Sequence, residues 1–164
     1  MLMLGVWLVP GARAAIVANL GTVEQTRIEL ATYHWPESLF QDVVRRKADL
    51  STAIRDYRSA LLLDPSNVTA NRRLGQIELA RGQYDEAQRH LSAAQAADPG
   101  QRATRQLLGE CYAIAGETGP AAALWKTIDV SEGQLELRQW WYGEYLGERE
   151  LAARIMQAQT TLGQ

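Results

Sequence analysis

The chain repeats itself at a step of 34 residues, and that period constrains its folding more than any single residue does. Leu74-Gly75 returns as Leu108-Gly109, Gly82 as Gly116, and Asp64-Pro65 as Asp98-Pro99. Ala53, Ala87 and Ala121 fall in the same frame, as do the bulky Tyr57, Leu91 and Trp125. In the middle unit Leu74, Ile77 and Leu79 give one helix its apolar side. Gly82 permits a turn, and Tyr84, Ala87, Leu91 and Ala94 mark the inner face of a second helix. The spacing is that of helices, with no strand-like alternation in this stretch. A fixed period of this length, with small residues at fixed offsets and a closing Pro, predicts stacked antiparallel helix pairs.

The small residues have a packing reason. Glycine inside a helix costs about 1 kcal/mol relative to Ala, so Gly75 and Gly109 are expected where a neighbouring helix comes too close for a side chain. Ala87 and Ala121 make the same argument on the facing helix, where larger residues would overpack by about 1–3 kcal/mol. Asp-Pro ends each second helix, because proline disfavours helical geometry in the residue before it.

These signals divide the chain. Pro65 and Pro99 as unit ends give three units at 34–67, 68–101 and 102–135, with the first degenerate at Phe40-Gln41 where Leu-Gly is expected. Residues 14–33 read as an N-terminal capping helix that contains a further Leu20-Gly21, as though half a unit survived there. Residues 131–164 read as a capping helix pair. Ser131 and Gln134 resemble a capping box, opening a helix through about Leu146, and Gly147 turns the chain into a last helix from Glu148 to Thr160. Trp140, Trp141 and Tyr142 cannot all face inward on one α-helix. The exposed one is either a binding anchor or, more simply, the outer cover of the cap.

Residues 1–13 form an apolar N-terminal segment. The run Met1–Val9 is far shorter than the roughly 20 residues that cross a bilayer. Three readings stay open: a signal peptide ending at Ala12-Arg13-Ala14, the stump of a longer membrane helix, and an apolar segment packed on the first helix. Attachment to a membrane through residues 1–9 is one consequence. It tips the expected location toward the membrane or the extracytoplasmic side of a bacterium over the cytoplasm.

Chemistry is sparse. The net charge of −2 sets up no field for nucleic acid or anionic lipid. The single cysteine, Cys111, excludes an intrachain disulfide and multi-Cys metal sites. It sits at a small-residue position without an adjacent His, as expected of a buried structural thiol. His34 and His90 make no metal-ligand pair. Glu78, Glu110 and Glu144 read as solvated or paired surface charges. No catalytic residue, metal or cofactor is expected.

The phrases Leu74-Gly75, Gly82, Tyr84-x-x-Ala87, Ala94 and Pro99 resemble the tetratricopeptide repeat family. The third unit matches at Leu108, Gly109, Tyr112, Gly116 and Ala121, then departs with Thr118 for the aromatic and no terminal Pro. The resemblance covers about 100 residues. It implies an all-α, right-handed α-solenoid with helical caps, acting as a non-catalytic module that binds a peptide or protein in a concave groove. By resemblance the groove positions are Ser38, Asp42, Arg45 and Arg46 in the first unit, Arg72, Gln76 and Leu79 in the second, and Gln106, Glu110 and Ala113 in the third. Ser38, Asp42, Ala103 and Leu107 stand where modules that clamp chaperone C-termini carry Lys and Asn, which disfavours that role. The apolar start, Asn71-Arg-Arg-Leu-Gly75 and Arg105-Gln-Leu-Leu-Gly-Glu110 also resemble the repeat-bearing tails of bacterial O-antigen-ligase-like membrane proteins. That resemblance implies an accessory domain or fragment beside glycan assembly.

Overall fold

The computed structural model describes residues 9–35 and 40–163. Most of the apolar start, together with Pro36 and Ser38, lies outside the described residues. Among those described there are nine α-helices and no strand. They are α1 (Pro10–Thr32), α2 (Gln41–Lys47), α3 (Ser51–Leu63), α4 (Val68–Ala80), α5 (Tyr84–Ala97), α6 (Arg102–Ala115), α7 (Thr118–Lys126), α8 (Glu132–Trp140) and α9 (Arg149–Leu162). A five-residue π turn, Trp141–Tyr145, continues α8. The chain forms two compact units, Met1–Asp98 and Pro99–Gln164.

The helix limits follow the sequence signals. Asp64 and Asp98, each before a proline, are extended and end α3 and α5. Gly82 and Gly116 turn the chain with φ of 78° and 87°, the left-handed region that glycine enters without penalty. Asn67 caps α4 by accepting from the Ala70 N–H at 2.9 Å. At Ser131 the capping box forms in both directions with Gln134.

In the first unit α4 pairs with α5, as expected, and the partner of α3 is α1. A Cβ built on Gly21 would lie 3.0 Å from the Tyr57 ring and 3.2 Å from the Ala53 carbonyl. Gly75 has the same relation to Leu91 and the Ala87 carbonyl, at 2.6 and 3.2 Å. Thus the helix expected as an N-terminal cap at 14–33 supplies the close approach that the 34-residue frame assigned to Gln41. The chain from Tyr33 to Leu50 connects α1 to α3 and carries the short α2, which packs on α1 and α4. Ala14, Ala18, Leu50, Ala53, Tyr57, Ala60, Ala70, Leu74 and Ile77 form the core.

The second unit packs α6 against α7, with α9 on both. Gly109 lies beneath the Trp125 indole, whose Nε1–H donates to the Gln106 carbonyl at 3.1 Å. Cys111 is buried among these helices. The expected helix 132–146 changes winding at Trp141. In the wider π turn the adjacent Trp141 and Tyr142 are both fully buried, and half-buried Trp140 is the outer member of the trio. Trp141 stacks on Tyr145 with ring centroids 4.7 Å apart. No described helix is long and apolar enough to cross a membrane.

Candidate functional site

The residues expected to line a groove divide into those tied up in the fold and those with unused capacity. Arg45 belongs to the first class. It is buried, with Nε donating to Glu29 Oε1 at 2.9 Å, Nη1 to Asp42 at 2.7 Å and Nη2 to Gln41 at 2.6 Å. Glu29 also accepts from Gln25 at 2.6 Å, and Gln25 accepts from the Tyr57 hydroxyl at 2.7 Å. This buried chain of polar groups joins α2, α1 and α3. A charge buried without such partners would be far too costly to keep.

Arg46 closes a second exchange. Its guanidinium donates to the Ala80 carbonyl at 3.1 Å, while Arg81 donates back to the Arg45 and Ala48 carbonyls at 3.2 and 3.0 Å. Each arginine caps the C-terminus of the other's helix, satisfying carbonyls that a helix end leaves open. Asp42, Arg45 and Arg46 therefore lie on the connecting helix α2, not on the helix that pairs with α3. Leu79 is 3 % exposed and part of the core.

In the second unit Glu110 is 3 % exposed, so it is buried rather than at the surface, and of the two readings, solvated or paired, it is the paired one that the structure shows. Its Oε1 accepts from Arg138 Nε at 2.9 Å, from Arg138 Nη2, and from the Tyr142 hydroxyl at 2.6 Å. The Arg138 guanidinium lies 5.7 and 5.5 Å from the Trp141 and Tyr142 ring centres. Gln106 contributes its carbonyl to Trp125.

Glu78 is buried as well, against the same expectation. It faces His90 Nε2 at 3.6 Å, and His90 Nδ1 lies 3.0 Å from Asn71 Oδ1. Burial, helped by the Glu86 carboxylate, pushes the Glu78 carboxyl up to about 7. Burial pushes His90 down, with Arg89 and Arg58 acting the same way. Glu78 is thus about half protonated near neutrality while His90 is shifted toward its neutral form, so the contact is weaker than that of two fully charged partners. A cavity of about 470 Å³ opens beside Glu78, lined also by Ile54, Arg58, Leu62, Leu74 and Arg81.

Arg72, Arg73 and Gln76 remain, adjacent on α4. All three are half-buried, and the buried Nε of each arginine and the Oε1 of Gln76 find no hydrogen-bond partner. Among the described residues no carboxylate pairs with either guanidinium. Burial, reinforced by the Arg73 charge, holds the Arg72 guanidinium below its ordinary pKa. Arg73 also lines a cavity of about 240 Å³ with Thr26, Glu29, Leu30, Tyr33, Gln41 and Arg45, Glu29 being committed to Arg45. Sequence reasoning picked Arg72 and Gln76 and missed Arg73; the adjacent Arg72-Arg73 pair, with no acid one helical turn away on α4, was the available signal. Among the described residues no group of three His, Cys, Asp or Glu side chains is placed to hold a metal ion.

Comparison with known proteins agrees with this geometry. No curated protein matches the chain. A family model described as "Tetratricopeptide repeat" matches residues 46–111, the stretch that contains the α4–α5 pair, its Gly75–Leu91 contact and both Asp-Pro stops. Residues 46–111 are thus similar to a tetratricopeptide repeat, in a chain whose described elements are all helical.

Proposed function

We propose that the chain is a non-catalytic protein-interaction module whose first unit takes an acidic peptide segment at Arg72 and Arg73. Tetratricopeptide repeats generally mediate protein–protein contacts. One observation carries the ligand chemistry: two neighbouring guanidinium groups, half-buried, each with an unpaired Nε donor and with no acidic partner among the described residues. Unsatisfied buried donors are costly. A peptide carboxylate would satisfy them through charge-assisted bonds of the kind arginine makes bidentately. Gln76, with an open acceptor beside them, would take a backbone N–H of the same peptide. Thr26 and Tyr33 supply neutral hydrogen-bonding groups at the edge of the adjoining cavity.

Fluorescence-polarisation titration with a labelled Glu-rich peptide tests this reading, with its Gln-rich counterpart as control. The acidic peptide is expected to bind with an affinity that falls as salt rises. The Arg72→Gln/Arg73→Gln variant is expected to bind about tenfold or more weakly while remaining helical. Equal affinity in wild type and variant would remove α4 as the binding surface.

A further inference from the structure

The free side of α1 inverts the usual pattern of a surface helix, which hides its apolar residues and shows its polar ones. Helix α1 buries Gln25 and Glu29 with Ala14, Ala18 and Gly21. It exposes Ile16 (47 %), Leu20 (59 %), Val23 (67 %) and Leu30 (69 %). These residues recur at alternating steps of four and three, with Arg27 at the position between Val23 and Leu30 and Arg13 preceding Ile16. Val9, also exposed, extends the line. The result is one straight apolar seam roughly 30 Å long.

We propose that α1 seats this protein on a lipid surface, with the seam lying in the plane of the headgroup–acyl boundary. Three observations favour lipid over a protein occupant. The sequence leading into the seam, Met1 to Leu8, contains no charged residue, so the apolar character continues beyond the helix. At the other end Tyr33 and Trp35 are 40 % and 71 % exposed, and amphipathic rings of this kind favour the bilayer interface. The seam's two arginines complete the argument.

A second copy of α1 packed on the seam in parallel would set Arg27 against Arg27 and Arg13 against Arg13. Packed antiparallel, it would press these guanidinium groups onto Ile16 and Leu30. At a lipid surface neither cost arises, because a long arginine stem lies along the apolar layer while its head reaches the phosphates. Arg27 already turns its head aside to Glu24, with bonds of 2.9 and 2.7 Å. No described helix is suited to cross the bilayer, so the contact proposed is one of lying on the surface.

The test is flotation of the 164-residue chain with vesicles of phosphatidylcholine mixed with phosphatidylglycerol, beside the Leu20→Glu/Val23→Glu variant. The wild type is expected to float with the vesicles and the variant's partitioning to fall about tenfold or more. Both substituted side chains are more than half exposed, so the core is untouched. Should circular dichroism show lost helix, Ile16→Gln/Leu30→Gln replaces the pair. A wild type that stays at the bottom of the gradient overturns the proposal. So does a folded variant that floats equally well, since the residues before α1 would then suffice. A wild type that is dimeric by light scattering, ignores vesicles and becomes monomeric in the variant would assign the seam to a second copy instead.

Discussion

Gly75 lies so close under Leu91 that a Cβ added to it would sit 2.6 Å from Leu91 Cγ. The Ala87 carbonyl stands 3.2 Å away on the same side, and it is backbone that cannot step aside. Helix propensity alone would reward Gly75→Ala by about 1 kcal/mol. The clash reverses the sign, and the variant is expected to lose about 1–3 kcal/mol as α4 and α5 are forced apart. Urea denaturation measures the loss. The double variant Gly75→Ala/Leu91→Ala should cost less than the two single losses added together, because removing the leucine also removes the clash. Strict additivity would show that the two residues do not touch.

The second unit depends on an ion pair. Glu110 collects the Arg138 guanidinium and the Tyr142 hydroxyl on one buried oxygen, fastening α8 and the π turn to α6. Glu110→Ala takes the carboxylate from a guanidinium that is only 12 % exposed, which is expected to cost about 3–5 kcal/mol. Glu110→Gln keeps the shape and an acceptor for Tyr142, and should cost less. Tryptophan fluorescence reports mainly on this unit, because three of the five tryptophans lie in it and Trp125 and Trp141 are buried there. Equal stability in Glu110→Ala and wild type would show that the pair contributes nothing to the cap.

What the sequence disclosed and what it hid follow from the range of the interactions. The pairing of α4 with α5 and of α6 with α7 was legible because each is a local relation repeated in one frame, Gly75 with Leu91 and Gly109 with Trp125. The partner of α3 was not, because the connection between Gly21 and Ala53 is 20 residues longer than that between Gly75 and Ala87. Extending the period upstream therefore placed Gln41 where Gly21 belongs, and drew Asp42, Arg45 and Arg46 into a groove they do not line as helix-pair residues. The Leu20-Gly21 phrase was the visible clue. Arg45 with Glu29 and Glu110 with Arg138 were hidden for another reason: each pair joins a repeat to an element outside the frame. Periodicity says nothing about such partners. Arg72 and Gln76 lie in the best-matching repeat, and there the frame led to side chains with open hydrogen-bonding capacity.

The polar chain from Tyr57 through Gln25 and Glu29 to Arg45 makes the connecting helix α2 part of the first unit's core. Arg45→Met leaves Glu29 a buried charge with Gln25 as its remaining donor, and about 3–5 kcal/mol of stability should be lost. Adding Glu29→Gln removes that charge, so about 1–3 kcal/mol of the loss should return. Thermal unfolding of the wild type and both variants gives the comparison. A double variant no more stable than Arg45→Met would mean that the arginine acts by its packing, through the aliphatic stem, rather than by neutralising Glu29.

Glu78 should make stability depend on pH in the opposite sense to an ion-paired carboxylate. Its carboxyl is raised from 4.5 to about 7 in the folded state, chiefly by burial. Between those values the folded chain holds a proton that the unfolded chain has released, so stability falls as pH rises through this window. The full loss is present above about pH 7 and, reduced by the solvent that still screens the group, amounts to about 1–3 kcal/mol. His90, lowered by burial, acts within the same window and in the opposite sense: its contribution is lost as pH falls below the unfolded histidine's value of 6.5. Glu78→Gln keeps a neutral polar group beside His90 and cannot ionise. The variant should match the wild type near pH 4.5 and exceed it by about 1–3 kcal/mol at pH 8, as urea unfolding at the two pH values would show. A difference between variant and wild type that does not change with pH would mean that Glu78 ionises normally, with water or a counter-ion reaching the Oε2 that has no partner in the structure.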